Sequence, residues 1–318
     1  MPSIRIISPS GVIDPTFIDQ GAARLRSWGH VVSEGQHARD AWGRFAGRDE
    51  DRLQDLIDAL NDPSVDMILC SRGGYGLQRI IDRVPPITKP IIGFSDITAL
   101  HQLSAVSHQS SVHGIMCKHI ATLPEESEPI MALRRVLQGE PLSYSIPAHP
   151  LNRPGTVTAP LIGGNLSVLY GLQGTKFGIQ NTEYRVQTDK HTRSVSETVC
   201  QRSGLYSVSE HRERSILLIE DIGERHYHID RMMRNLQMSG VLAHLSGLIV
   251  GQFSDCDDDP LMNQTVYETI KEVVASYDYP VLFNAPFGHV EHNLPIRFGV
   301  PTTLTVTATS SARLQQRG

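Results

Sequence analysis

The chain has 318 residues, of which 40% are hydrophobic, 20% charged and 6% aromatic. That length and balance suit about two packed domains and exclude both a small disulfide-stapled scaffold and a disordered chain. Lys and Arg total 29 against 34 Asp and Glu, so the net charge of −5 provides no basic surface for a nucleic-acid partner.

The amino-terminal segment and the cysteines bear on localisation. The first apolar stretch is only Ile4–Ile7 and is interrupted by an arginine, far short of the hydrophobic region of a signal peptide. No window approaches the roughly 18 apolar residues that a membrane-spanning helix needs. Four cysteines are spread singly, at positions 70, 117, 200 and 256, without a Cys-x-x-Cys pair. These features predict a cytoplasmic protein with reduced thiols and no membrane association.

Strand and helix patterns alternate over residues 1–140, which predicts a parallel sheet with connecting helices. The predicted strands are Ile4–Ser8, His30–Ser33, Val65–Cys70 and Lys89–Phe94. The predicted helices are Thr16–Trp28, Asp49–Asn61 and one that begins at about Asp96.

Prolines at positions 141, 147, 150 and 154 predict a linker over residues 141–158. Beyond it, a second, mixed domain is expected over residues 159–318. Its predicted strands are Ser215–Glu220, Leu248–Phe253 and Thr302–Thr309, and its predicted helices are Ile229–Met238 and Gln264–Ser276.

Ser95 ends an apolar strand in the sequence IIGFSDIT, residues 91–98. A serine there presents its hydroxyl at the carboxyl edge of the sheet, where open α/β folds bind ligands, and the next backbone N–H can stabilise an oxyanion. Helix capping is the alternative, because serine and aspartate are favoured N-caps. Ile97 stands where the Gly-x-Ser-x-Gly elbow of α/β-hydrolases requires glycine, so that motif is not met.

Three glycines in the sequence RGGYG, residues 72–76, follow the predicted strand Val65–Cys70. Glycine lets backbone approach a ligand closely. The segment lacks both the Gly-x-Gly-x-x-Gly spacing and a Gly-Lys-Ser/Thr ending. A phosphate-binding loop, a contribution to an oxyanion hole and a tight turn all remain open.

Acidic and histidine side chains lie at a strand end or in a loop of the predicted second domain. Glu220 ends a strand, and His289 lies three residues before His292 in a loop whose proline and glycine disfavour the helix that a metal site would need. His226 and His228 could supply only two metal ligands, which is weak support for a metal site. Ser95, His289 and Glu220 supply a nucleophile, a base and an acid that orients the base. Their convergence requires loops of the second domain to fold over the sheet edge of the first.

Together these segments resemble the LD-carboxypeptidase family of serine peptidases, which includes the microcin C immunity peptidases. The resemblance rests on their number, order and spacing: SPS (8–10), FAG (45–47), RGGYG (72–76), GFSDIT (93–98), HG (113–114), GGNLS (163–167), GT (174–175), EDIGE (220–224), IDRM (229–232) and PFGH (286–289). It implies a flavodoxin-like parallel-sheet amino-terminal domain and a smaller, mixed β-barrel-like carboxy-terminal domain. It also implies a homodimer with the active site between the domains.

The resemblance assigns roles to individual residues. It implies that Ser95 is the nucleophile, Glu220 the acid of the triad and His289 the general base. It further implies that the backbone N–H groups of Gly74 and Asp96 form the oxyanion hole. No metal and no cofactor are expected, and the expected partner is a small murein peptide.

The expected function is that of a serine carboxypeptidase that cleaves an L,D-amide bond and releases terminal D-alanine from murein tetrapeptide in cell-wall recycling. The first alternative is a microcin C immunity-type hydrolase of aminoacyl-adenylate-like antibiotics, whose signature would be aromatic stacking on a purine. Trp28 and Trp42 precede the active-site segments, whereas Tyr184 and Tyr206 lie in a later polar stretch. The second alternative is a non-catalytic peptide-binding module in which Ser95 only caps a helix.

The segment Lys176–Arg214 is longer than is usual for this family and shows no sustained periodicity. It is close to the length of roughly 40 residues below which a chain rarely folds alone. We expect a mobile flap at the cleft between the domains, which closes over bound peptide. A surface insertion remote from the site is the alternative.

Overall fold

The computed structural model describes residues 1–179 and 214–318, which form two β-sheets flanked by helices. The fold is mixed α/β. The strands of the first half are β1 (Ser3–Ile7), β2 (Val31–Glu34), β3 (Met67–Cys70), β4 (Ile91–Gly93), β5 (Ser111–His113), β6 (Leu142–Ile146) and β7 (Gly155–Asn165). Its helices are α1 (Pro15–Ser27), α2 (Asp49–Asn61), α3 (Thr98–Val106), α4 (Cys117–Thr122), α5 (Glu128–Leu137) and α6 (Leu166–Leu172).

The elements after the undescribed segment complete both sheets. The strands are β8 (Ser215–Ile222), β9 (Leu245–Ser254), β10 (Val281–Leu282), β11 (Ile296–Phe298), β12 (Pro301–Val306) and β13 (Ala312–Gln316). The helices are α7 (His226–Met238) and α8 (Val266–Val273). Most of the predicted flap, residues 180–213, lies outside the described residues.

The first sheet has the strand order β11-β5-β4-β3-β1-β2. Strands β1 to β5 are parallel, whereas β11 pairs antiparallel with β5, so that Ile296 lies opposite His113. A strand from the carboxy-terminal part of the chain therefore closes the edge of the sheet built by the amino-terminal part.

Local signals explain where the helices around this sheet begin. The side chain of Asp14 caps α1 by accepting from the N–H of Thr16, and Pro15 occupies the first helical position, where its missing N–H costs nothing. Helix α2 carries three acidic residues in its first turn, where they stabilise the helix dipole. Apolar side chains cover both faces of the sheet, as a parallel sheet requires.

The second sheet has the order β10-β9-β8-β7-β12-β13-β6. The long strand β7 joins its two parts, because residues 161–165 pair parallel with β8 and residues 155–160 pair antiparallel with β12. Helices α6, α7 and α8 pack on one face of the parallel part through Leu169, Met233 and Ile270. The carboxyl ends of β7 and β8 thereby meet, with Asn165 opposite Glu220.

The predicted elements of both halves are present, with differences at particular ends. Helix α2 has the predicted bounds, whereas α7 begins at His226, three residues before the predicted start. Strand β6 lies within the segment predicted as a linker, and several elements, among them β5, β11, β13, α4 and α5, are not predicted from the sequence. No helix within residues 1–179 and 214–318 is both long and apolar enough to cross a bilayer.

Candidate active site

Ser95 follows β4 with a backbone φ of +68°, which lies in the left-handed region that non-glycine residues rarely adopt. This conformation costs about 1–2 kcal/mol per residue, and such strain concentrates at functional sites. Ser95 begins a 3-10 turn, Ser95–Ile97, that leads into α3. Asp96 is the second residue of this turn, so its N–H is among the groups without a partner inside the turn.

The glycine-rich loop lies directly against Ser95. A Cβ atom on Gly73 would come within 2.6 Å of the Ser95 Cβ and 2.9 Å of its Oγ, so only glycine allows this approach. The buried Asp96 carboxylate holds the loop in place, because its Oδ2 accepts from the Leu77 N–H at 2.9 Å and from Ser10 Oγ at 2.7 Å. The structure thus shows a function of the Asp96 side chain that the sequence did not indicate, because the sequence suggested only helix capping for this side chain.

Glu220 and His289 form a hydrogen-bonded pair at the edge of the second sheet. His289 Nδ1 donates to Glu220 Oε2 at 2.8 Å, and the Glu220 side chain is completely buried near the end of β8. His289 lies in the loop after β10, where Ser254 Oγ donates to its backbone carbonyl at 2.9 Å. Because Nδ1 is engaged, Nε2 is the ring nitrogen that remains to accept a proton.

The two halves of the chain bring this pair close to the strand that leads to Ser95. The rings of Phe94 and His289 meet edge to face, with centroids 4.9 Å apart, and Phe94 immediately precedes Ser95. Thr98 Oγ1, one turn after Ser95, accepts from the Asn165 N–H at 2.9 Å. The predicted convergence of loops from the second half over the sheet edge of the first is therefore present.

Burial and the surrounding polar and charged groups have opposite effects on the pKa values of Glu220 and His289. Burial disfavours the ionised carboxylate of Glu220, but the imidazoles of His113 and His289 outweigh it and lower the pKa of that carboxyl below its ordinary value. Burial likewise lowers the pKa of His289, but the hydrogen bond and the charge of Glu220 outweigh it and raise the pKa. The Glu220 carboxylate therefore stabilises a protonated His289.

The other histidines considered in the sequence lie elsewhere. His292 is exposed and pairs with Glu128 at 3.2 Å, away from His289. His226 begins α7 and bonds Thr269 Oγ1 at 2.7 Å, while His228 bonds Glu224 at 2.9 Å. These side chains serve local packing and capping, and none of them contacts the Glu220–His289 pair.

Gly288 permits the close approach of the histidine loop to Glu220, which yields a testable prediction. Its φ is +124°, and a Cβ there would lie 2.8 Å from Glu220 Oε2. Gly288→Ala should displace the carboxylate and lower kcat/KM about 100-fold, the scale expected for a 1 Å misplacement. Gly139→Ala is the control, because Gly139 also has a positive φ, +72°, but has open space around it. Equal losses of activity in the two variants would contradict the prediction.

Comparison with known proteins identifies the family. The model of the LD-carboxypeptidase N-terminal domain matches residues 4–114, and that of the LD-carboxypeptidase C-terminal domain matches residues 194–304. A putative carboxypeptidase of Synechocystis is 33% identical over 90% of this chain and 85% of its own length. The murein tetrapeptide carboxypeptidase of Pseudomonas aeruginosa is 25% identical over 95% of this chain and 92% of its own length.

Solved structures show the same fold. The muramoyltetrapeptide carboxypeptidase of Oxalobacter formigenes matches with a TM-score of 0.81 and 22% identity, over 99% of each chain. The microcin C7 self-immunity protein in complex with aspartyl sulfamoyl adenosine matches with a TM-score of 0.77 and 18% identity, over 100% of this chain and 96% of its own. With both domain models matched in order, the chain is a serine-type hydrolase that belongs to the LD-carboxypeptidase family.

Proposed function

We propose that Ser95, His289 and Glu220 are the catalytic triad of this enzyme. The observation that carries the proposal is the Glu220–His289 hydrogen bond of 2.8 Å, held against Phe94 beside a serine in a strained conformation. We propose as the oxyanion hole the backbone N–H of Asp96, the residue after Ser95, and that of Gly74, the residue after the glycine that lies against Ser95. Gly74 has a φ of +111°, so its N–H takes a direction that other residues rarely provide.

In the proposed mechanism, Ser95 Oγ attacks the carbonyl carbon of the scissile amide while His289 Nε2 accepts the hydroxyl proton. Glu220 stabilises the resulting imidazolium, and the two N–H groups stabilise the oxyanion of the tetrahedral intermediate. His289 then returns the proton to the leaving amine as the C–N bond breaks. Water, deprotonated by the same imidazole, hydrolyses the acyl-enzyme and regenerates the Ser95 hydroxyl.

We propose a short murein peptide as substrate, with hydrolysis of an L,D-amide bond and release of terminal D-alanine in cell-wall recycling. The His289 side chain is only 15% exposed and the Glu220 side chain is buried, so little of the proposed acid–base pair is open to solvent. The name of the Pseudomonas aeruginosa relative supports the murein substrate.

A pair of diastereomeric substrates tests this proposal. Murein tetrapeptide that ends in D-alanine should release free D-alanine, measured by chromatography, with kcat/KM at least about 100-fold above that of the peptide ending in L-alanine. This difference corresponds to about 2.7 kcal/mol of transition-state discrimination, within the range of one well-packed pocket. Equal cleavage of the two peptides would contradict L,D-specificity, and no cleavage of either would contradict the murein substrate.

One observation favours the alternative function, hydrolysis of an aminoacyl-nucleotide-like antibiotic. The rings of Trp42, Phe45 and Tyr75 form a continuous row with neighbouring centroids 5.9 Å apart, and Tyr75 belongs to the glycine-rich loop beside Ser95. Trp42 is 45% exposed and Tyr75 is 43% exposed, so both present ring surface to a ligand. A purine stacks favourably on such a surface.

Two tryptophan variants test the alternative on an aminoacyl sulfamoyl adenosine. If the row binds the base, Trp42→Ala should lower kcat/KM for this substrate tenfold or more, because stacking contributes about 1–3 kcal/mol per base. Trp28→Ala is the control, since Trp28 follows the carboxyl end of α1, donates to Glu125 and is not part of the aromatic row. Efficient hydrolysis of the nucleoside with both variants equal to wild type would show that the base binds elsewhere.

We also propose the finer features of the assembly. The strand order 2-1-3-4-5 of β1 to β5 supports a flavodoxin-like amino-terminal domain over residues 1–140. We propose that residues 141–158, which contain β6 and the start of β7, lead into a barrel-like domain over residues 159–318. We propose a cytoplasmic homodimer without membrane or nucleic-acid partners, as the family resemblance implies. Light scattering on the purified protein, with a mass of twice 35.2 kDa expected, tests the dimer.

A further inference from the structure

His113 is a completely buried histidine whose two ring nitrogens both lack a hydrogen-bond partner within the described part of the chain. It ends β5 in the first sheet, between β4 and β11. Its Nε2 lies 3.8 Å from Oε1 of Glu220. That oxygen is the one that His289 does not use, and it is also buried without a hydrogen bond to any described residue.

An unpaired donor and an unpaired acceptor facing each other are unusual in a protein interior. Each buried polar group without a partner costs about 1–3 kcal/mol, and a charged group costs more. At 3.8 Å the two atoms are beyond hydrogen-bond distance, but catalytic hydrogen bonds are often long in unliganded enzymes and shorten when substrate binds. A movement of less than 1 Å by either side chain brings them into contact.

The neighbouring His101 shows that this part of the core can provide hydrogen-bond partners for both nitrogens of an imidazole. His101 Nε2 donates to the Gly93 carbonyl at 3.0 Å, and its Nδ1 accepts from Ser111 Oγ at 2.9 Å. Both ring nitrogens of His101 therefore have partners, as expected of a buried histidine with a structural role. The His113 ring contacts the rings of Phe94 and Phe298, which have no polar side-chain group to offer it. The Glu220 carboxylate is the acceptor that its Nε2 faces.

We propose that His113 is a positioning residue for Glu220 and donates from Nε2 to Oε1 when the enzyme binds substrate. Contact at Oε1 fixes the rotation of the carboxylate about its terminal bond, so that Oε2 stays directed at His289 Nδ1. With Oε1 held by His113, Oε2 remains available to His289 Nδ1 and stabilises the His289 imidazolium.

The inference rests on the proposed triad, so its test uses a readout that does not depend on the substrate. The rate at which a fluorophosphonate labels Ser95, measured by intact mass, reports activation of the hydroxyl by His289. His113→Met and His113→Gln are matched in length, but only glutamine has an N–H at about the position of Nε2. We expect labelling of His113→Met to be roughly 10- to 100-fold slower than wild type, and labelling of His113→Gln to be restored to within about threefold.

A double-mutant cycle separates positioning from a structural effect. In a Glu220→Ala background, His113→Met should slow labelling by less than about threefold, because the group through which His113 acts is gone. His101→Met is the control. It should lower Tm, and its effect on labelling should be the same with and without Glu220.

Each outcome bears on one of the two proposals. Equal rates for the His113→Met and His113→Gln variants, or the same fold-loss with His113→Met in both backgrounds, would overturn the positioning role of His113. Normal labelling of the Glu220→Ala variant alone would instead overturn the proposed triad. If Glu220→Ala fails to fold, the comparison of the methionine and glutamine variants still decides the role of His113.

Discussion

Replacing Ser95 with alanine should lower kcat/KM by about 10⁴- to 10⁶-fold, the range seen when the nucleophile of a catalytic triad is removed. The loss should appear in kcat, because the hydroxyl acts in the transition state and contributes little to substrate binding. The measurement is release of the carboxy-terminal residue under saturating substrate, together with loss of fluorophosphonate labelling. A variant that kept more than about a tenth of wild-type activity would exclude Ser95 as the nucleophile.

Ser95→Gly is the matched control for stability. Both substitutions remove the hydroxyl, but alanine retains the cost of a φ of +68° whereas glycine adopts it freely. Because that cost is about 1–2 kcal/mol, the glycine variant should unfold at a higher temperature than the alanine variant. A lower Tm for the glycine variant would show that the backbone at Ser95 is not strained.

Replacing Glu220 with glutamine should lower kcat about 10⁴-fold and move the acid limb of the pH profile. The general base must be neutral, so kcat/KM of the wild type falls as pH decreases through the pKa of His289, which Glu220 raises. Without that charge, burial of the imidazole is unopposed and its pKa falls. The acid limb of the variant should therefore lie at lower pH than that of wild type.

Asp221→Asn is the control for this shift. Burial, together with the nearby charge of Glu220, raises the pKa of Asp221 to about 7, so this group also changes charge in the measured range. Its carboxylate bonds Asn165 and Ser167 instead of His289. A smaller movement of the acid limb and a much smaller loss of kcat are expected for Asp221→Asn. Equal shifts in the two variants would contradict a specific action of Glu220 on His289.

Local sequence patterns predicted those parts of the fold that depend on local forces. Helix α2 appears with its predicted bounds because an acidic first turn and a following proline mark both ends. Both bounds of strands β1 and β3 lie within two residues of the predicted bounds, because these strands are short apolar runs in a buried sheet. The residue types of the proposed triad were also identifiable, although placing them in one site depended on the family resemblance.

Features that depend on distant partners were not identifiable from the sequence. Strand β6 alternates serine with larger residues between prolines, which resembles a loop until β13 pairs with it. The left-handed conformation of Ser95 has no sequence signal, because serine is not a residue that favours it. His113 stands in a motif of the family, but its proximity to Glu220 arises only when β5 and β8, from separate sheets, come together.

The pairing of β11 with β5 has a consequence for the order of folding. In a chain synthesised from its amino terminus, strand β4, which leads to Ser95, emerges long before residues 296–298 supply the edge strand of its sheet. The histidine loop is anchored only a few residues before that strand, so it reaches the serine late in synthesis. Contacts of such long sequence separation form slowly, because loop closure costs entropy before they are made. The proposed triad is therefore incomplete until residue 289 has been synthesised and its loop has reached the first sheet.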